Sequence, residues 1–163
     1  MLWPNKRLFR NNGVYNFQQN SIQFTAAIDS TGKDLKIPVN IRIENIQQRI
    51  NDTLVKIPYT QYKIKDIDVF IDHLDSDNSI PQFTDSLTYK NITLYSKGPL
   101  KYSPKAINSG ISIQLGDLYS DEKRNLTYRY FTNLKNFKYP SISHTTIPEE
   151  NNALKASILL TPR

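Results

Sequence analysis

The sequence predicts an α+β chain built from two versions of one unit, a short version followed by a complete one. Three observations carry that prediction. Two stretches alternate apolar and polar residues with period two on either side of turn residues. Each of them follows a segment compatible with a helix. The second such helix has a single apolar stripe. At 163 residues and 18.9 kDa the chain has room for one ordinary domain or two small ones. A hydrophobic fraction of 38%, with ten Tyr, seven Phe and one Trp, supplies a packed core and argues against a disordered chain.

The first hairpin sets Ile22, Phe24, Ala26 and Ile28 against Ser21, Gln23, Thr25 and Ala27. Asp29-Ser30-Thr31-Gly32-Lys33 has turn chemistry, with Gly32 free to take positive φ. The return strand alternates Leu35, Ile37, Val39, Ile41 and Ile43 with Lys36, Pro38, Asn40, Arg42 and Glu44, so one buried and one wet face are expected. Residues 45–61 are ambiguous: Ile46, Ile50, Leu54 and Ile57 permit a helical stripe, while Thr53-Leu54-Val55 permits an extended linker.

Tyr62 to Asp72 reads as a strand. Tyr62 and Ile64 are out of phase with Ile67, Val69 and Ile71, which places a bulge at Lys65-Asp66. A polar loop follows, then a short extended segment over Tyr89–Tyr95. Ser103-Pro104 is a helix start with Ser at the N-cap and Pro at the first helical position. The next helix opens at Ser120, with Asp121 and Glu122 at the positive end of its dipole. Its stripe runs through Leu126, Tyr130, Leu134 and Phe137, with Thr127 and Phe131 beside it. In the closing hairpin Ile142, His144 and Thr146 alternate with Ser141, Ser143 and Thr145. Residues 148–152 turn, and Leu154, Ala156, Ile158 and Leu160 face inward, with Leu159 breaking the pattern. The spacing of seven between Leu8 and Tyr15 matches that between Tyr130 and Phe137, so the first half reads as the back end of the unit that closes the chain.

Several function classes drop out. No apolar run approaches the roughly 18–20 residues of a membrane helix, and residues 1–7 contain no hydrophobic segment of the signal-peptide kind. With zero cysteines there is no disulfide framework, thiol nucleophile or cysteine-based zinc site. A net charge of +6 and a pI near 9.4 admit an anionic partner, but the cations are scattered and the densest groups are Lys6-Arg7 and Lys123-Arg124.

His73 and His144 are the only histidines, too few for a zinc site without distant carboxylates. Asp72, Asp75, Asp77 and Asn78 suggest calcium, yet an EF-hand counted from Asp75 would have Ile80 in place of its glycine and Ser86 in place of its glutamate. The glycines form no phosphate loop or nucleophile elbow. Glu149-Glu150 sit side by side in a turn and lack the facing geometry of paired-carboxylate chemistry. No catalytic, cofactor-binding or metal residues are assigned.

The order strand, helix, helix, strand, strand over residues 62–163 resembles a POTRA domain, the polypeptide-transport-associated module. The wording is similar to that of Bacteroidetes BamA/TamA-type outer-membrane barrel-assembly proteins. It rests on Tyr102-Ser103-Pro104-Lys105-Ala106-Ile107, Ile113 through Ser120, Leu126-Thr127, Leu134 through Phe137, Leu154 through Pro162, and Asn12-Gly13-Val14-Tyr15. The resemblance implies a β-α-α-β-β module at 62–163, with a three-stranded mixed sheet under two helices. It implies the C-terminal half of another module (helix plus β-hairpin) at 1–45, and a linker at 46–61. At the second helix end Lys135-Asn136 stand where the family has Gly and an apolar residue, so Asn136 is expected in the left-handed position or the end is irregular. Pro38 fits poorly in a central strand, and the short first module reads as cut from a longer chain.

The resemblance further implies a periplasmic, non-enzymatic, cofactor-free binding and scaffolding role, attached in the full-length chain to an outer-membrane β-barrel. Its partners would be unfolded outer-membrane proteins or accessory assembly proteins, not nucleic acid. They would be received by β-augmentation at the sheet-edge strand, here Tyr139, Ser141, Ile142, Ser143, His144, Thr145 and Thr146. The different-class alternative is a basic α+β nucleic-acid-binding module, with aromatics stacking on bases.

Overall fold

Alternation in β9 (Ala153–Pro162) places Leu154, Ala156, Ile158 and Leu160 on one face, and all four are fully buried. This strand lies between β5 (Lys63–Ile71), to which it is parallel, and β8 (Phe137–Thr146), to which it is antiparallel. The computed structural model describes residues 5–28, 37–71 and 83–163. A bulge between Ile64 and Asp66, where the sequence places it, shifts the phase of β5 so that Ile64 and Ile67 both reach the core.

The α+β order β5, α2 (Pro104–Ser109), α3 (Asp121–Asn133), β8, β9 is the anticipated strand-helix-helix-strand-strand module. Its sheet is larger than three strands. Beyond β5 lie β7 (Ile92–Ser96), parallel to β5, and β6 (Asp85–Tyr89), antiparallel to β7, giving the mixed order β6-β7-β5-β9-β8. The segment Tyr89–Tyr95, expected as one strand, is instead the turn and part of both arms of this hairpin. Lys90-Asn91 makes a two-residue turn with Lys90 at φ 52°. The turn carries no glycine, so the usual signal is missing.

Ile107 of α2 and Phe131 of α3 close the core over the sheet, with Ile113, Tyr119 and Phe137. The buried line of α3 is displaced from the expected stripe: only Thr127 and Phe131 are buried, while Leu126, Tyr130 and Leu134 remain 38–42% exposed. Thr127 is held inside by hydrogen bonds. Its hydroxyl donates to the Lys123 carbonyl at 3.0 Å and accepts from the Ser112 N–H at 3.0 Å. Tyr130 lies over Gly110, where a Cβ would come within 2.2 Å of the ring. Ser120 caps α3 by accepting from the Lys123 N–H. At the other end Lys135, not Asn136, takes the left-handed conformation at φ 55°.

In the first half, Asn5 caps α1 (Lys6–Asn11) and Gly13 follows it at φ 95°. A single 3-10 turn at Gln19–Ser21 then leads into β1 (Ile22–Ala26), which pairs antiparallel with β2 (Val39–Ile43). The turn expected at residues 29–33, together with Leu35 and Lys36, lies outside the described residues, as do His73, Asp75, Asp77 and Asn78. Cross-strand pairs Ile22–Ile43, Phe24–Ile41 and Ala26–Val39 share one face, as the alternation predicts. Apart from Ile22, which is buried, that face is open: Phe24, Val39, Ile41 and Ile43 are 41–50% exposed. A two-stranded ribbon has no layer of its own, and among the described residues no helix lies over this one.

Residues 46–57 form neither a helix nor an extended linker but a second ribbon, β3 (Ile46–Ile50) paired with β4 (Thr53–Ile57). Asn51 and Asp52 take φ 46° and 63° at its two-residue turn. Asn and Asp tolerate this region better than other residues, which makes the turn readable in hindsight.

Candidate partner-binding edge and its latch

β8 is one of the two edges of the five-stranded sheet; the other is β6. Along an antiparallel edge, hydrogen-bonding groups point alternately to the neighbour and away from it. The Ile147 N–H bonds to the Ala153 carbonyl, so the odd-numbered positions face β9 and Ile142, His144 and Thr146 present their backbone groups outward. Side chains alternate in the perpendicular sense. Ile142 and His144 are buried, while Ser141, Ser143, Thr145 and Thr146 are exposed.

Two of those outward carbonyls are already engaged. Arg124 on α3 donates from Nε to the Ile142 carbonyl at 3.1 Å. The Tyr15 hydroxyl donates to the His144 carbonyl at 2.9 Å. Further up the strand the register breaks between Lys138 and Ser141. In that bulge Tyr139 sits at φ 44° with its side chain 86% exposed, followed by Pro140, which has no N–H. A bulky residue in the left-handed region is a strained position, held by its surroundings.

Tyr15 is brought to the edge by a polar junction between α1 and α3. The Arg10 guanidinium grips Asp121 with two bonds, Nε to Oδ2 at 2.7 Å and Nη2 to Oδ1 at 2.9 Å. The same guanidinium donates to the Tyr119 hydroxyl at 2.6 Å and to the Tyr15 carbonyl. Tyr119 in turn donates to Asp121 Oδ1 at 2.6 Å. The rings of Tyr15 and His144 meet Tyr119 edge-on, with centroids 5.1 and 4.9 Å away. Gly13 completes the splice: its N–H bonds to the Tyr119 carbonyl and its carbonyl accepts from the Tyr62 N–H. A Cβ there would stand 3.1 Å from Gln61 and 3.2 Å from Leu118, and φ is positive as well, so glycine is required twice over.

The electrostatics follow the geometry. Burial pushes the Asp121 carboxyl up, but the bonds from Arg10 and Tyr119 and the Arg10 charge outweigh it and hold the group below the usual carboxylate range. Burial, with the hydrogen bond to Asp121, pushes the Tyr119 phenol well above its ordinary value. His144 is pulled down to about 4, first by burial and then by the charges of Arg124 and Arg10, with Asp121 opposing. It is therefore a neutral, strand-packed imidazole at physiological pH.

Of the seven edge positions picked from sequence, the fold brings all onto one edge strand but turns Ile142 and His144 inward. Sequence reasoning missed Arg10, Tyr15, Tyr119 and Arg124 as neighbours of that edge. Arg10 and Asp121 are 111 positions apart, and a lone arginine carries no local sign of its partner. Asp121 was legible only as a favourable charge at a helix N-terminus. Among the described residues no group of three or more His, Asp or Glu side chains could hold a metal ion, and no helix is long and apolar enough to cross a membrane.

No protein-family model matches the chain, and no curated protein matches it. Among solved structures it is similar to the crystal structure of Haemophilus influenzae BamA POTRA3-5, with 12% identity and a TM-score of 0.36 over 96% of this chain and 76% of that one. A likeness at that TM-score decides neither fold nor function.

Proposed function

We propose that this chain is a POTRA-type binding and scaffolding segment of an outer-membrane protein assembly or translocation factor, working in the periplasm without catalysis. Residues 62–163 are the complete module, 1–45 the C-terminal half of a preceding one, and 46–61 the connection. In the full-length protein an outer-membrane β-barrel follows. Unfolded barrel proteins or accessory proteins pair with the edge formed by Tyr139 and Ser141–Thr146. The observation that carries this reading is the placement of the closing hairpin: its first strand is an edge, and polar side chains at Ser141, Ser143, Thr145 and Thr146 line its exposed positions.

Strand addition here must displace two side chains. A partner reaching the Ile142 and His144 carbonyls removes Arg124 and Tyr15, so binding at this edge is coupled to the junction with α1. An NMR titration of labelled protein with barrel-strand peptides, at low and high salt, tests the reading. Shifts at Ile142–Thr146 that ignore salt support it. Tyr15→Phe, which frees one carbonyl, should tighten binding about two- to ten-fold, the worth of one ordinary hydrogen bond. Shifts spread over Lys and Arg positions and abolished by salt would replace it with a polyanion-binding role.

A further inference from the structure

The sheet has a second edge, and it lacks the devices that guard the first. β6 keeps unbroken register with β7 from Asp85–Ser96 to Tyr89–Ile92, and its sequence contains no proline. Asp85, Ser86, Leu87 and Thr88 are all exposed. The two-residue turn at Lys90-Asn91 makes Tyr89–Ile92 a hydrogen-bonded pair. Alternation then directs the backbone groups of Leu87 inward to β7 and those of Ser86 and Thr88 outward. Among the described residues, nothing is hydrogen-bonded to those outward N–H and C=O groups. The only side-chain hydrogen bond at either position, among the described residues, is a 3.4 Å contact between the Thr88 and Thr93 hydroxyls, within the hairpin. At β8, by contrast, a proline, a bulge and two side-chain bonds occupy the edge.

We propose that β6 is the standing docking edge of this molecule, accepting an extended strand of another protein chain. The side chains fix the character of that strand. Leu87 lies on the helix-covered face, opposite the buried Leu94, yet is 46% exposed because among the described residues no strand stands beyond it. An added strand with an apolar residue beside Leu87 extends the core by one position. On the other face Ser86 and Thr88 meet polar or β-branched neighbours. The fitting partner thus alternates apolar and polar residues, and main-chain bonds to Ser86 and Thr88 supply affinity with little demand on sequence. This edge follows from the sheet geometry alone and stands apart from the POTRA reading, which concerns β8.

The experiment uses the full chain, labelled with nitrogen-15, and an uncharged acetyl-Thr-Val-Thr-Val-Thr-Val-Thr-amide peptide. Binding should shift the Ser86 and Thr88 amides and slow their hydrogen exchange, with or without further shifts at Ile142–Thr146, where the β8 reading also expects a strand. Thr88→Pro removes one outward N–H while sparing the ladder to β7, and should weaken binding about ten-fold, the loss of one main-chain hydrogen bond. Because that substitution could also disturb the hairpin, the exchange measurement on the unaltered chain stands as an independent arm. Shifts confined to Ile142–Thr146 would overturn the β6 proposal while supporting the β8 edge. Shifts on neither edge, or binding of a folded Thr88→Pro variant with unchanged affinity, would also overturn it.

Discussion

The β1–β2 and β8–β9 hairpins share the same alternating pattern and meet opposite fates. In β9 the inward positions are fully buried beneath α2 and α3, whereas Phe24, Val39, Ile41 and Ile43 in the first hairpin are 41–50% exposed. Both keep their apolar residues on one face, so periodicity decided the sidedness correctly in each. What differs is the second layer. A strand pattern says which side chains share a face; whether anything covers that face depends on residues elsewhere in the chain. Stability is therefore expected to be distributed unevenly, with the five-stranded module far more resistant to opening than the ribbons.

The sharpest way to break this comparison is to remove one side chain from each region. Phe131→Ala should cost about 3–5 kcal/mol in denaturant unfolding, because the ring is fully buried. Ile41→Ala should cost less than about 1 kcal/mol, because that side chain is already 41% in solvent. Equal costs would mean that the ribbon face is covered in solution.

Next in size is acid sensitivity. The folded pKa of His144, about 4, lies below its ordinary 6.5, so the unfolded chain takes up the proton first. The stability that neutral His144 contributes is complete above pH 6.5 and is lost as pH falls toward 4, by up to about 3 kcal/mol. Asp121 works in the next window down: its lowered carboxyl contributes stability that is lost below its ordinary 3.8. Stability measured between pH 7 and pH 4 should flatten in His144→Phe.

Gly110→Ala sets a methyl against the Tyr130 ring and should cost about 1–3 kcal/mol by overpacking. Much of that should return in the double variant with Tyr130→Ala, read from the same unfolding curves. Smallest is Arg10→Met, which among the described residues leaves Asp121 with the Tyr119 hydroxyl as its one hydrogen-bond partner. A cost of about 1–2 kcal/mol is expected after allowing for partial solvent access. Faster hydrogen exchange across α1 and at the Gly13 amide, with β9 unaffected, would show that the junction holds the first half to the second.

Local chemistry was legible where a residue's conformation depends on its own neighbours. The phase change at Lys65-Asp66 announced the β5 bulge, and Ser120 announced the α3 cap. Two turns escaped for opposite reasons. Lys90-Asn91 has no glycine, and Asn51-Asp52 lay within a spacing that also suits a helix. The α3 stripe was misplaced because Leu126 and Tyr130 look more apolar than Thr127, and only the bonds from Thr127 to Ser112 and Lys123 explain why a threonine holds the inner position. The edge strand was foreseen, but the latch on it was not. Arg10, Tyr15 and Arg124 act through contacts that no short window of sequence contains.

The parallel pairing of β5 with β9 has a mechanical meaning. The chain comes into the module at Lys63 and leaves it at Pro162, so these strands, side by side, receive tension from opposite ends. Force applied along the backbone loads all eight register pairs from Lys63–Ala153 to Ile71–Leu160 together, in shear. The β1–β2 and β3–β4 ribbons, pulled from adjacent ends, would instead unzip one pair at a time. Because the Arg10–Asp121 and Gly13–Tyr119 bonds pin α1 to the five-stranded body, a pull reaches the ribbons only after this junction parts; they then lengthen the chain while that body stays shut.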